Sequence, residues 1–452
     1  MPAVVPVMGS TGHPPQLGGF ERQCATLLDW SNYYFGADKE TKLAQMASEL
    51  LRQLATQPSG ALREEDLLSL RGRALSVTDP DQATALLERG LRRNPLSQAS
   101  WTCLGELYFG KGEVEKACTC FHNSLDFTGE SATICRNLSI VLRKMERPNT
   151  SQAQHHVAVG NGAAPIPGKR QSSRSLEWAQ RAVEIDPDDL LNWEGLGNFH
   201  LDRFGQRNTT DSLQKAAEAY ERAAILDRAS TWGRSPTLYH NLGLVKLFSL
   251  NFGESYDAFE VCARTVSQYA EQAKNQMRTI LEIAKALDEH VNQKGRMRAS
   301  RLQSVAKHLK EHCTKRSAST KSDNRAVFGG WRECVEGDAA DSCRDPDKKK
   351  RQVLTVKIVH KIEVDVPVLL ICVDQNQEFF VLALSGTDAN QLMKKVKLGE
   401  SIVEVTHFEK RPLVYNKEDN CRSWNCVHVQ EPKHLSLDGH HLGNLAISSL
   451  ND

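Results

Sequence analysis

The spacing of Trp101, Leu104, Gly105 and Tyr108, followed by Ala117 and Phe121, constrains this chain more than any other feature of it. It reads W-x2-L-G-x2-Y…A-x3-F, the signature of two antiparallel helices joined by a turn. Small residues stand where the two backbones approach, and aromatic ones fill the gaps between helices. A single pair of this kind leaves an apolar face uncovered, so copies must stack, at a period of about 34 residues.

The period runs in both directions. Leu67, Leu70, Ala74, Ala83, Leu87 and Pro95 occupy the corresponding positions one unit earlier, with Arg71 where glycine is usual and Gly90 at the third small position. One unit later, Cys135, Leu138, Ser139 and Leu142 form a first helix, whose partner is delayed to Ser175, Ala179, Ala182 and Pro187. The intervening 149–172 holds His155, His156, Gly160, Gly162, Pro165, Pro167 and Gly168, and reads as an inserted loop. Trp193, Leu196, Gly197, Ala216, Tyr220 and Ala223 give a fourth unit; Tyr239, Leu242, Gly243, Ser255, Phe259 and Cys262 give a fifth. The spacing thus predicts five tetratricopeptide repeats over 64–270.

Residues 1–19, rich in Pro and Gly, read as disordered, and 20–63 as a helical pair packed on the first repeat, with Leu27, Trp30, Leu43 and Leu50 at helical spacing. A capping helix and a basic helical segment follow over 271–314, then a polar linker over 315–350. Beyond it the pattern switches to strands: 353–364, 366–374, 378–385, a short helix 389–396, then 401–408 and 424–429, with 433–452 left as a flexible tail. Three strands, a helix and two strands is the order of an OB-fold, placed over 351–432. The expected class is α+β multidomain, an all-α tetratricopeptide-repeat solenoid followed by a small all-β OB-fold barrel.

With 57 Lys and Arg against 56 Asp and Glu in 452 residues, bulk charge selects no partner. Twelve scattered cysteines, several inside helical patterns, fit a reducing compartment. The start lacks a signal-peptide pattern and no apolar run is long enough to span a membrane, so the expectation is a chain of cytoplasm or nucleus. Cys118 and Cys120, or Cys421 and Cys426, lack zinc spacing; His155-His156 and His440-His441 have no carboxylate or cysteine pattern beside them. No phosphate-cradling glycine loop or nucleophile elbow is present, and the expectation is no enzyme, no catalytic residue, no metal and no cofactor.

Function should then lie on the concave face lined by the first helices of the repeats. The register puts Thr133, Arg136, Ile140, Arg143 and Lys144 of the third repeat there, with Leu191, Glu194, Asn198, Leu201 and Asp202 of the fourth and Thr237, His240, Leu244, Leu247 and Phe248 of the fifth. Cations, carboxylates and an apolar wall in succession suit a short extended peptide of mixed charge. Lys294, Arg296, Arg298 and Arg301 form a basic run fit for RNA or phosphate. On the OB-like domain, Phe380, Arg411, Tyr415 and Trp424 are candidates for a stacking, basic face that would take a nucleic-acid strand such as DNA; the alternative is that the aromatics are core and the domain binds protein.

The run Trp101 to Val114, the stretch Asn137 to Arg143, the basic run from Lys294 to Arg301 followed by Leu302-Gln303-Ser304, and the OB-like end resemble the tetratricopeptide repeat protein 5 (Strap) family over Leu27 to Val429. The resemblance implies an adaptor with two roles. In the cytoplasm it would recognise the amino-terminal peptide of nascent α- and β-tubulin at the ribosome and trigger tubulin message decay, through a deadenylase-recruiting adaptor. In the nucleus it would be a stress-responsive cofactor joining an acetyltransferase co-activator and an actin-regulatory cofactor to p53-type transcription. The family's peptide-gripping arginine falls on Arg143 and an acidic groove residue on Glu271; a second acidic position falls on Thr237, which is not acidic. The family's ribosome contacts fall on Arg296 to Arg301, with Arg298 and Ser300 in place of lysines.

Overall fold

The computed structural model describes residues 17–146, 171–207, 209–319, 353–362, 368–385, 392, 394–417, 420–430 and 432–441. Most of 1–19, of the 149–172 insertion and of the 315–350 linker lies outside them. Helices α1 (Leu17–Tyr33) and α2 (Lys39–Ala55) precede five helix pairs: α3 (Glu64–Leu75) with α4 (Pro80–Arg93), α5 (Gln98–Gly110) with α6 (Val114–Thr128), α7 (Ala132–Glu146) with α8 (Gln171–Ile185), α9 (Leu190–Arg207) with α10 (Thr210–Ala229), and α11 (Pro236–Phe248) with α12 (Phe252–Ala263). Then come α13 (Tyr269–Leu287) and α14 (Ala299–Ser319). The result is a mostly helical repeat solenoid with a mixed sheet at its carboxy-terminal end.

The chain divides into two compact units. The first takes in residues up to His200 with Lys215–Asn241 and Val261–Ala270. Here the repeat chemistry is plain: a β-carbon on Gly105 would fall 2.5 Å from the Phe121 ring, so only glycine lets α5 and α6 close on that aromatic. In the earlier repeat Gly72, not the Arg71 position, makes this approach, with Leu87 as its knob. Trp101 Nε1 donates to the Pro95 carbonyl and Trp193 Nε1 to Pro187, both at 2.8 Å, which ties each first helix to the turn before it. Asp79 caps α4, accepting from Gln82 N at 3.0 Å ahead of Pro80 at the first helical position. Phe20, Cys24, Leu50, Leu54, Leu70 and Ala74 form one core, so α1 and α2 pack on α3.

The second unit comprises Leu201–Gln214, Leu242–Glu260 and the chain from Glu271 on. Its sheet holds β1 (Leu354–Ile362), β2 (Val368–Val373), β3 (Phe379–Leu384), β4 (Ile402–Val405), β5 (Glu409–Lys417), β6 (Asn420–Val429), β7 (Leu435–Leu437) and β8 (His440–His441), in the order β5-β6-β3-β2-β1-β4-β7-β8. All ladders are antiparallel except β3 with β6. The apolar runs VLLICV and FFVLAL are buried at every residue, as expected of central strands covered on both faces.

Several expectations need correcting. The sheet is open and mixed where a closed all-β barrel was expected: β7 pairs with the edge of β4 that a closing strand would need, and Thr406 N donates to the His434 carbonyl at 3.0 Å. The chain at 435–441, read as tail, supplies β7 and β8. A whole strand, β5, lies where none was expected, and the helix at 389–396 is described only in part, with Leu392 in the core. Helix α1 starts at Leu17 and α14 runs to Ser319, each beyond the expected boundary.

Candidate functional site

Within the first unit the site is built on α7. Ile134, Cys135, Leu138 and Val141 bury its inner face, which leaves Arg136 and Arg143, two turns apart, on another. Arg136 is only 8% exposed. Its Nη1 donates to Asp189 Oδ2 at 2.6 Å and to Asn192 Oδ1 at 2.9 Å. Asp189 in turn opens α9, accepting from Leu191 N at 2.9 Å, and takes a 2.8 Å bond from the Tyr33 hydroxyl at the end of α1. Burial first, then the Asp189 carboxylate, pushes the Tyr33 phenol up, so it stays a donor. Arg136 is therefore a structural cation, already spent on its own chain, and not the peptide ligand that its groove position implied.

Arg143 is half-buried, and its Nη1 lies 3.4 Å from the Gly195 carbonyl on α9. A β-carbon on Gly195 would sit 3.7 Å from Arg136 Cγ, an ordinary packing distance, which places Arg136 against this part of α9. Lys144 is exposed.

Glu194 and Thr237 come together although they are distant in sequence. Glu194 is buried; burial pushes its carboxyl up, and hydrogen bonds from Thr237 and Ser235 pull the other way. The Ser235 hydroxyl lies 3.5 Å from Glu194 Oε2 and 3.2 Å from Thr237 Oγ1. Asn198 accepts from the Tyr220 hydroxyl at 2.6 Å and from Asn241 Nδ2 at 2.9 Å. His240 is half-buried against the Tyr269 ring, and burial lowers its pKa. Asp202 and Glu271 belong to the second unit: Asp202 is half-buried, while Glu271 is exposed and pairs with Lys274 at 2.6 Å on its own helix, which holds its carboxyl down.

Because the folded carboxyl of Glu194 titrates above its unfolded value, the native state keeps a proton that the unfolded chain releases, and stability falls as pH rises through that window. Glu194→Gln keeps the hydrogen bonds and removes the ionisation. Its thermal midpoint should exceed the wild type's at neutral pH and match it in acid; a midpoint lowered at both would show that the carboxylate is needed charged.

In the second unit, Lys294, Arg296, Arg298 and Arg301 are all exposed, across the turn between α13 and α14. The proposed stacking face on the sheet is not a face. Phe380, Tyr415 and Trp424 are 1%, 4% and 1% exposed, so no base can reach their rings. Trp424 Nε1 donates to Asp288 Oδ1 at 3.0 Å, Arg422 pairs with the same carboxylate at 2.6 Å, and Tyr415 packs edge-on against Tyr256. Arg411 is half-buried. Among the described residues no group of three His, Cys, Asp or Glu could hold a metal, and no helix is long and apolar enough to cross a membrane.

The residues that sequence reasoning missed are Asp189, Asn192, Ser235 and Tyr33. Asp189 carried a signal, an N-capping residue just before a helix. Tyr33 carried none, since its partner lies 156 residues away.

No family model matches the chain. Among curated proteins it is 27% identical over 271 residues to tetratricopeptide repeat protein 5 of Homo sapiens, covering 59% of this chain and 57% of that one. The chain is similar to tetratricopeptide repeat protein 5. The Bos taurus form of tetratricopeptide repeat protein 5 is 26% identical over 276 residues, 60% of this chain and 58% of its own length. The match thus spans little more than half of the tetratricopeptide repeat protein 5 sequences. Among solved structures, a thermophilic TPR protein of Thermus thermophilus aligns over 48% of this chain and 98% of its own, at 16% identity and a TM-score of 0.36.

Proposed function

We propose that this chain is a non-catalytic adaptor whose repeat groove takes the amino-terminal peptide of nascent tubulin at the ribosome. The basic run Lys294 to Arg301 lies against ribosomal RNA, and a deadenylase-recruiting adaptor completes the route to tubulin message decay in the cytoplasm. The observation that carries this reading is Arg143: it is half-buried on α7 with its Nη1 3.4 Å from the Gly195 carbonyl of α9, between two first helices. A peptide carboxylate accepting two parallel bonds would displace that contact. Arg136 and Glu194 act as supports for the groove, and Asn198, Thr237 and His240 as its polar wall.

We read the sheet as a variant of the OB topology. The parallel β3 and β6 ladder, the β1 and β4 ladder and the β1-β2-β3 meander support this, as does the short passage 406–408 from β4 to β5. With Phe380, Tyr415 and Trp424 buried, nothing favours a DNA-binding nuclear cofactor over the cytoplasmic adaptor.

Fluorescence anisotropy of a labelled peptide beginning Met-Arg-Glu, titrated with the full chain, tests the reading. Saturable binding is expected, and loss of binding when the same three residues sit inside a longer peptide. Equal binding of a scrambled peptide would count against it.

A further inference from the structure

A cavity of about 590 Å³ opens beside the basic run, inside the second unit. Lys294, Arg296, Arg298 and Arg301 line it, and so do His290 and His360, but no Asp or Glu does. Among the described residues none of the four long cations is paired with a carboxylate. Cations solvated on a convex surface need no explanation; four of them around a concavity without counter-charge are arranged for an anion.

Two further features separate the cavity from a mere basic patch. The rings of His290 and His360 stack with centroids 3.8 Å apart and planes 20° apart, and Val359, Met297 and Phe379 add apolar wall. A flat π surface beside unpaired cations suits a ligand that is both planar and anionic. The backbone is also strained into this shape: Lys294, Gly295 and Arg296 are consecutive left-handed residues, at φ 53, 55 and 53. L side chains enter that region at a cost, and such strain gathers where a ligand is held.

We propose that this cavity captures one unpaired nucleotide of an RNA strand, its phosphate on the Lys294 to Arg301 cations and its base on the His290 and His360 stack. The proposal rests on the reading that the basic run meets RNA, and specifies how. The volume lies within the roughly 300–1,000 Å³ typical of small-molecule sites. Paired bases of an A-form helix stay stacked inside the duplex and cannot enter such a cavity, so the strand must be single or extruded there.

The test is equilibrium binding of the full chain to a labelled single-stranded RNA and to its duplex at one salt concentration, with adenosine monophosphate as competitor. The single strand should bind about tenfold more tightly. His290→Ala should weaken the single strand about tenfold and leave the duplex unchanged, whereas Arg298→Glu should weaken both. His290→Leu, which keeps bulk but not the aromatic ring, should behave as His290→Ala, and melting temperatures establish that each variant folds. Equal affinity for strand and duplex, unmoved by His290→Ala and His290→Leu, would overturn base capture and leave the RNA contact standing. No binding of either would overturn both, and binding of adenosine monophosphate without the strand would show a free nucleotide to be the ligand and overturn the proposal.

Discussion

Arg136→Ala should destabilise the repeats by about 3–5 kcal/mol, the cost of breaking a buried ion pair from one side. Both side chains are nearly sealed from water, 10% and 12% exposed, and Arg136 answers Asp189 and Asn192 at once. Removing it leaves the Asp189 carboxylate with the Tyr33 hydroxyl and its helix amide but no cation. Asp189→Ala in the same background should restore part of the loss, because the stranded charge goes too. Urea denaturation of the two single variants and the double variant gives the coupling; additive effects would mean that the pair carries no shared energy.

Trp30→Ala should cost about 3–5 kcal/mol. Trp30 is 1% exposed and packs on Tyr34 and, edge-on, on Trp232, in the turn between α10 and α11. Phe35 N reaches the Trp232 carbonyl at 3.4 Å, so this cluster fastens the start of the first unit to its fourth and fifth repeats. The buried indole nitrogen has no hydrogen-bond partner, which makes Trp30→Phe a useful control. It keeps most of the apolar area while deleting an unsatisfied donor, and should lose far less than the alanine variant. A midpoint for Trp30→Phe as low as for Trp30→Ala would assign the effect to something other than packing.

The helical pairs were legible because each repeat states its own geometry locally. Phe121 follows Gly105 at the spacing two packed helices demand, and Arg136 and Arg143 fall seven residues apart on α7, so both could be placed without coordinates. What local spacing could not reveal is that Arg136 is consumed. Its partner Asp189 lies 53 residues on, and Tyr33, which completes the network, comes from the other end of the repeats.

The sheet divides the same way. β2 and β3 announce themselves as unbroken apolar runs, whereas β5 carries Lys410, Arg411, Pro412 and Asn416 and shows only Leu413 and Tyr415 to the interior. An edge strand with one wet face and a proline gives a weak strand signal. Trp424 looked like a ligand platform because a lone aromatic in a strand does not say what covers it; the carboxylate that does, Asp288, belongs to the turn after α13.

Binding of the Met-Arg-Glu peptide by the full chain and by its Arg143→Glu variant bears most directly on the role assigned to the groove. Arg143 is half-buried and one of its hydrogen bonds goes to a backbone carbonyl, so the melting temperatures of both proteins are measured alongside to establish that the variant folds. The affinity should fall at least about tenfold, since one charge-assisted contact is replaced by repulsion. An unchanged dissociation constant in a variant that melts as the wild type does would contradict Arg143 as the residue that holds the peptide.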